Sequence, residues 1–129
     1  MPTKSNNPRV LVIDDDQALL RMIRLSMTSD GFDVATAQDG IAALEQLETA
    51  EFDVIVLDLQ MPRMDGRTFF SEMTSRGHRP KVVILSAYGA EEARRELKIA
   101  AAVPKPFDPD DLIETVRRVA SSKRASTTK

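Results

Sequence analysis

The chain has 129 residues, a formal net charge of −2 and no cysteine. That length suits one domain around a single core. The missing cysteine excludes disulfides, thiolate metal sites and a thiol nucleophile, and the small net charge gives no electrostatic ground for nucleic-acid binding. The longest apolar runs, Val10–Ile13, Val54–Leu57 and Val82–Leu85, are too short to span a bilayer. Met1 to Arg9 has no apolar signal segment, so a cytoplasmic protein without membrane contact is expected.

Val10-Leu-Val-Ile13 reads as a first buried strand, closed abruptly by Asp14, Asp15 and Asp16. Asp16 is placed to cap a helix with Leu19, Leu20, Ile23 and Met27 at helical spacing, and Gly31 stops it. Phe32–Thr36 is a second short strand, and Asp39-Gly40 opens a helix with Ile41, Leu44 and Leu47 on one face. Phe52–Leu57 is the most apolar segment, a third strand that ends in Asp58. Asp65 and Gly66 begin a helix carrying Phe69, Phe70 and Met73, which Gly77 terminates. Lys81–Leu85 is a fourth strand with Ser86 at its end. Ala90–Ile99 is a fourth helix with a sparse apolar stripe of Ala93 and Leu97. Ala100–Val103 is a weak fifth strand leading to Lys105-Pro106, and Asp108–Ala120 is the last helix, with Leu112, Ile113, Val116, Val119 and Ala120 inward. Residues 1–8 are read as a flexible N-terminus and 9–120 as the domain. Residues 121–129, rich in Ser, Thr and Lys, are read as a flexible tail or the start of a linker.

Strands apolar throughout must be covered on both faces, so the pattern is an α/β parallel sheet between two helical layers, built from five β–α units. In such a sheet ligands bind beyond the carboxyl ends of the strands. The residues there are Asp14, Asp15 and Asp16, then Asp58, Ser86 and Lys105. Packed carboxylates repel unless a cation intervenes, and oxygen-only ligands favour a hard ion such as Mg²⁺ or Mn²⁺. A lysine opposite that ion suits a phosphoryl group, a serine can donate to a further phosphoryl oxygen, and an aspartate in the clamp can act as nucleophile. Asp16, Asp39, Asp65 and Asp108 read as caps or turn residues instead.

Asp14-Asp15, Asp58, Ser86 and Lys105-Pro106, with Met61-Pro62 and Asp65-Gly66 between them, resemble the receiver domain of bacterial two-component response regulators, over about residues 8–120. The resemblance implies a flavodoxin-like doubly wound sheet of order 2-1-3-4-5. It implies that Asp58 accepts a phosphoryl group from a histidine kinase or a histidine phosphotransfer protein. Mg²⁺ would be held by Asp14, Asp15, Asp58 and the backbone carbonyl of Gln60. Lys105 would bind the phosphoryl group, the Ser86 hydroxyl would move toward it on activation, and the Lys105–Pro106 bond would be cis. Such a domain is not an enzyme acting on free substrates. It catalyses only its own phosphorylation and dephosphorylation, and it switches contacts with a downstream protein through the face of the fourth helix, fifth strand and fifth helix, as a monomer or a weak phosphorylation-dependent dimer. Gln60 and Tyr88 occupy rim positions that would tune the phosphoryl lifetime.

Two positions depart from the family pattern. Ala102 stands where many receivers carry a Tyr or Phe that rotates inward, so an aromatic switch cannot operate there. Lys98 stands near the turn where a glycine is often found. A haloacid dehalogenase-type phosphatase is an alternative, since Asp14-Asp15-Asp16 contains Asp-x-Asp, but the threonine expected after it is missing. A receiver-like interaction module independent of phosphorylation is a further alternative; its usual mark, loss of the acidic pair, the Asp or the Lys, is not found. His78, the only histidine, lies in a polar loop at the far end of the sheet and reads as inert. With no output domain after residue 120, a stand-alone receiver or one excised from a longer chain is expected.

Overall fold

The computed structural model describes residues 7–61, 64–87 and 89–121. Five strands and five helices alternate along them: β1 (Arg9–Ile13), α1 (Gln17–Ser29), β2 (Asp33–Ala37), α2 (Gly40–Thr49), β3 (Val54–Asp58), α3 (Gly66–Ser75), β4 (Lys81–Ser86), α4 (Ala90–Leu97), β5 (Ala101–Pro104) and α5 (Pro109–Ser121). The strands make one parallel sheet in the order β2-β1-β3-β4-β5. This is the flavodoxin-like order, in which the chain direction across the sheet reverses between β1 and β3.

Side-chain alternation along each strand divides the core in two. Leu11, Ile13, Ile55, Leu57, Val82 and Ile84 join one apolar cluster with Ala43, Leu44, Phe69, Met73 and Ala93, from α2, α3 and α4. Val10, Val12, Val54, Val56, Val83 and Leu85 join the other with Ile23, Met27, Leu112 and Val116, from α1 and α5. No helix among the described residues is long and apolar enough to cross a membrane.

Aspartates start the first three helices as expected. Asp16 accepts from the Leu19 N–H, Asp39 from Ala42 and Asp65 from Thr68. The Asp108 carboxylate accepts from the Asp110 N–H at 2.9 Å, one residue before α5 begins. Three helices close with the same pair of backbone bonds. Phe32 N–H returns to the Met27 carbonyl, His78 to Met73 and Ile99 to Arg94. The residue before each donor is left-handed: Gly31 at φ 97°, Gly77 at 89° and Lys98 at 58°. Glycine takes that conformation without penalty, whereas lysine does not.

Several boundaries differ from the sequence expectation. The second strand runs Asp33–Ala37, one residue later than expected, because Phe32 is spent closing α1. The third starts at Val54, since Phe52 and Asp53 precede the ladder. The fourth helix stops at Leu97, where Lys98 turns left-handed, and the fifth strand starts at Ala101. Ile41 does not face inward; it is 49% exposed. The buried stripe of α2 is Gly40, Ala43, Leu44 and Leu47, the i, i+3, i+4, i+7 pattern, and Ile41 stands about 100° from its first member.

Candidate functional site

The strand registers bring the expected polar residues together. Ile13 of β1 lies beside Leu57 of β3, Asp58 beside Leu85 of β4, and Ser86 beside Pro104 of β5. The ladder continues past the strand ends, with Asp14 N–H donating to the Ala37 carbonyl, Leu59 to Leu85, and Lys105 to Ser86 at 2.8 Å. Asp14, Asp58 and Lys105 thus crowd the C-terminal rim where the sheet order reverses. Asp58 follows the alternation of Val54 and Val56, whereas Ser86 follows that of Val82 and Ile84, so the hydroxyl starts on the opposite face of the sheet from the carboxylate.

One oxygen from each of Asp14, Asp15 and Asp58 lies within 4.8 Å of the others. Asp14 is fully buried and Asp58 is 2% exposed, while Asp15 is exposed. Asp14 Oδ1 accepts from the Asp16 N–H at 2.9 Å, and Asp14 Oδ2 accepts from Lys105 Nζ at 2.9 Å. Asp58 Oδ1 accepts from the Gln60 N–H at 3.1 Å and lies 3.6 Å from Lys105 Nζ. Gly66 lets α3 approach this loop: a Cβ there would lie 2.8 Å from the Asp58 carbonyl oxygen and the Leu59 Cα.

The Lys105 ammonium therefore lies against two of the three carboxylates, Asp14 and Asp58. Burial, and next the Asp14 charge, push the Asp58 carboxyl up to about 6, against the opposing pull of Lys105 and the Gln60 N–H. Partial burial pulls the Lys105 ammonium down, but the hydrogen bond and charge of Asp14, followed by Asp58, outweigh it and hold Lys105 above the usual lysine value. A buried acid raised in this way marks a place where further positive charge is welcome. The oxygen-only donor set fits a hard divalent cation.

Ser86 is fully buried, and its hydroxyl donates to Gln60 Oε1 at 3.0 Å. The same oxygen accepts from the Ala87 N–H at 3.4 Å. Sequence reasoning did not find this contact, because it depends on which way an exposed side chain turns between two loops. The Lys105–Pro106 bond is cis. Ala102 is half-buried beside Ile84 and packs against the α2–α4 side of the core, with no aromatic in its place. His78 lies at the other rim, its Nε2 3.5 Å from Glu48 Oε2. Tyr88 and the Pro62 of the Met61-Pro62 pair fall outside the described residues.

The family model of the response regulator receiver domain matches residues 10–117. The chain is 35% identical over 112 residues to response regulator MprA of Mycobacterium sp. (strain KMS), covering 84% of this chain and 49% of that protein, and it is similarly related to MprA of Mycobacterium ulcerans. It thus spans about half the length of the curated relatives it matches. Among solved structures, the receiver domain of the Francisella response regulator 1452 superposes with a TM-score of 0.81 at 35% identity, covering 95% of this chain and all of that one. Chemotaxis protein CheY4 of Vibrio cholerae gives 0.78 at 32%, covering 88% and 98%. Response regulator TrrA of Thermotoga maritima, solved in complex with Mg(2+)-BeF, gives 0.77 at 26%, covering 87% and 98%. A rim of three carboxylates and one lysine on a sheet of this order, joined to a match along nearly the whole described chain, makes this chain a member of the response regulator receiver domain family of two-component systems.

Proposed function

We propose that Asp58 accepts a phosphoryl group from a phosphohistidine, carried by a histidine kinase or a phosphotransfer protein, and that the modified domain switches its contacts with a downstream protein. The observation that carries this reading is the buried Asp58 carboxylate beside Asp14, with the Lys105 ammonium approaching both. In the step, an Asp58 carboxylate oxygen attacks phosphorus as the bond to the donor's ring nitrogen breaks; the electron pair returns to that ring, and Asp58 becomes an acyl phosphate. Asp58 must be ionised to attack, which its value of about 6 permits near neutral pH. Lys105 Nζ, already 3.6 Å from Asp58, supplies positive charge to the transferring oxygens. Asp14, Asp15, Asp58 and the Gln60 backbone carbonyl are the groups that would hold Mg²⁺, or Mn²⁺ in its place. When bound, such an ion would screen the carboxylates and supply Lewis acidity toward a phosphoryl oxygen. No external substrate is turned over, and the domain does not act as an enzyme in that sense.

Phosphorylation adds about −1.5 to −2 charge. We place the responding surface on α4, β5 and α5, since α4 buries only Ala90 and Ala93 and is the helix with the least apolar anchorage. With Ala102 in β5, readout there cannot use an aromatic side chain. The domain would act in the cytoplasm, as a monomer or a weak dimer formed on phosphorylation. Mass spectrometry after incubation with acetyl phosphate or a phosphorylated kinase tests the site. A metal-dependent gain of one phosphoryl group is expected, abolished in Asp58→Asn; persistent labelling of that variant at another residue would sink the assignment.

A further inference from the structure

Gln60 touches both halves of the site. Its backbone N–H donates to Asp58 Oδ1 at 3.1 Å, and its side-chain oxygen accepts from the Ser86 hydroxyl at 3.0 Å. The Ala87 N–H, a donor that cannot change role, points at the same oxygen at 3.4 Å, which fixes the orientation of the amide. The Ser86 carbonyl is meanwhile tied to the Lys105 N–H at 2.8 Å, so the backbone of the serine is anchored while its hydroxyl is held toward Gln60.

We propose that Gln60 is a positioning residue that latches Ser86: in the unmodified protein its amide oxygen holds the Ser86 hydroxyl away from the position it must take beside a phosphoryl group on Asp58. This deepens the phosphoacceptor reading and rests on it. A phosphoryl oxygen placed on Asp58 competes with Gln60 Oε1 for one hydroxyl proton, and as an anionic acceptor it makes the stronger bond. The fraction of molecules with the hydroxyl free to move sets the apparent affinity for anything that requires it. Gln60 thereby sets how readily the domain responds to a given phosphoryl charge, which is separate from any effect on attacking water.

The test is the affinity for beryllofluoride with saturating Mg²⁺, followed by ¹⁹F NMR in a double-mutant cycle. With Ser86 present, Gln60→Met, which keeps the length and loses the strong acceptor, should tighten binding about threefold or more. Gln60→Asn, which draws the acceptor back by one methylene, should shift it the same way. In the Ser86→Ala background neither change should alter the affinity. Equal shifts in both backgrounds, no shift, or weaker binding with Ser86 present would overturn the latch alone. Wild-type protein that shows no metal-dependent beryllofluoride binding would overturn the phosphoacceptor reading and the latch together. The amide spectrum of each variant reports its fold, and a displaced Ala87 N–H resonance without Mg²⁺ is the expected sign that the resting contact has been lost.

Discussion

The two rims of the sheet carry the same residue types and treat them in opposite ways. At the N-terminal rim the Arg9 N–H donates to Asp53 Oδ2 at 2.8 Å, Arg9 Nε lies 3.3 Å from Asp33, and Arg76 lies 3.3 Å from Glu48, all of them exposed side chains near water. Asp33 and Glu48 there each have a guanidinium at hand, and all three acids have a high dielectric around them. At the C-terminal rim Asp14 and Asp58 are buried against each other, with Asp15 close by and one lysine between them. A cleft of about 810 Å³ among Arg9, Phe52, His78 and Lys81 opens at the N-terminal rim. Cleft volume and unbalanced buried charge thus mark opposite rims, and the proposed chemistry follows the charge.

Substitutions can sharpen or break that contrast. The largest effect is expected from Lys105→Met, which removes the ammonium that lies against both buried acids. Its rate of metal-dependent phosphorylation by a small-molecule donor should fall about 100-fold or more, and a rate near wild type would show that the lysine is not part of the chemistry. Mg²⁺ is expected to raise the unfolding free energy by about 2.7 kcal/mol at a hundredfold excess over its dissociation constant. Chemical denaturation should show that gain largely lost in Asp14→Asn and unchanged in Arg9→Ala.

Without metal, the raised carboxyl of Asp58 has a sign that can be checked. The folded state binds this proton more tightly than the unfolded state, so the stability it contributes is full below the ordinary carboxylate value and is lost as pH rises through about 6. Asp58→Asn should therefore stabilise the metal-free protein by about 1–3 kcal/mol near pH 7.5, with the gain vanishing toward pH 4 in urea titrations at several pH values. The smallest effect belongs to the other rim. Arg9→Ala removes its exposed pairing with Asp33 and should cost less than about 1 kcal/mol, with phosphorylation unaltered.

Most of the architecture could be read from the sequence because its signals are local. The runs at Val10, Val54 and Val82 are apolar on both faces, the aspartates at 16, 39 and 65 each precede a helix, and Asp14, Asp58, Ser86 and Lys105 each end or follow a strand. The misplaced features depend on geometry that composition does not encode. Ile41 is an apolar residue on the wet side of α2, where only the phase of the helix excludes it from the core. The opposite facing of Asp58 and Ser86 was within reach, since it needs only counting along β3 and β4, but the turn of the Gln60 side chain toward Ser86 was not.

Lys98 gives α4 a property that its contacts alone do not convey. A left-handed lysine where α1 and α3 close with glycine stores on the order of 1 kcal/mol in the last turn. At its other end α4 starts from Gly89, with no side chain capping it, and an exposed Arg67–Glu96 pair links it to α3. Two buried alanines are set against these losses. In the language of amide hydrogen exchange, α4 is expected to open more readily than α1 and α5, which bury larger side chains. A single change, Lys98→Gly, would relieve the strained turn and make the same helix exchange more slowly. On that expectation, the side chain at this one bend would set how often the helix is open before any signal arrives.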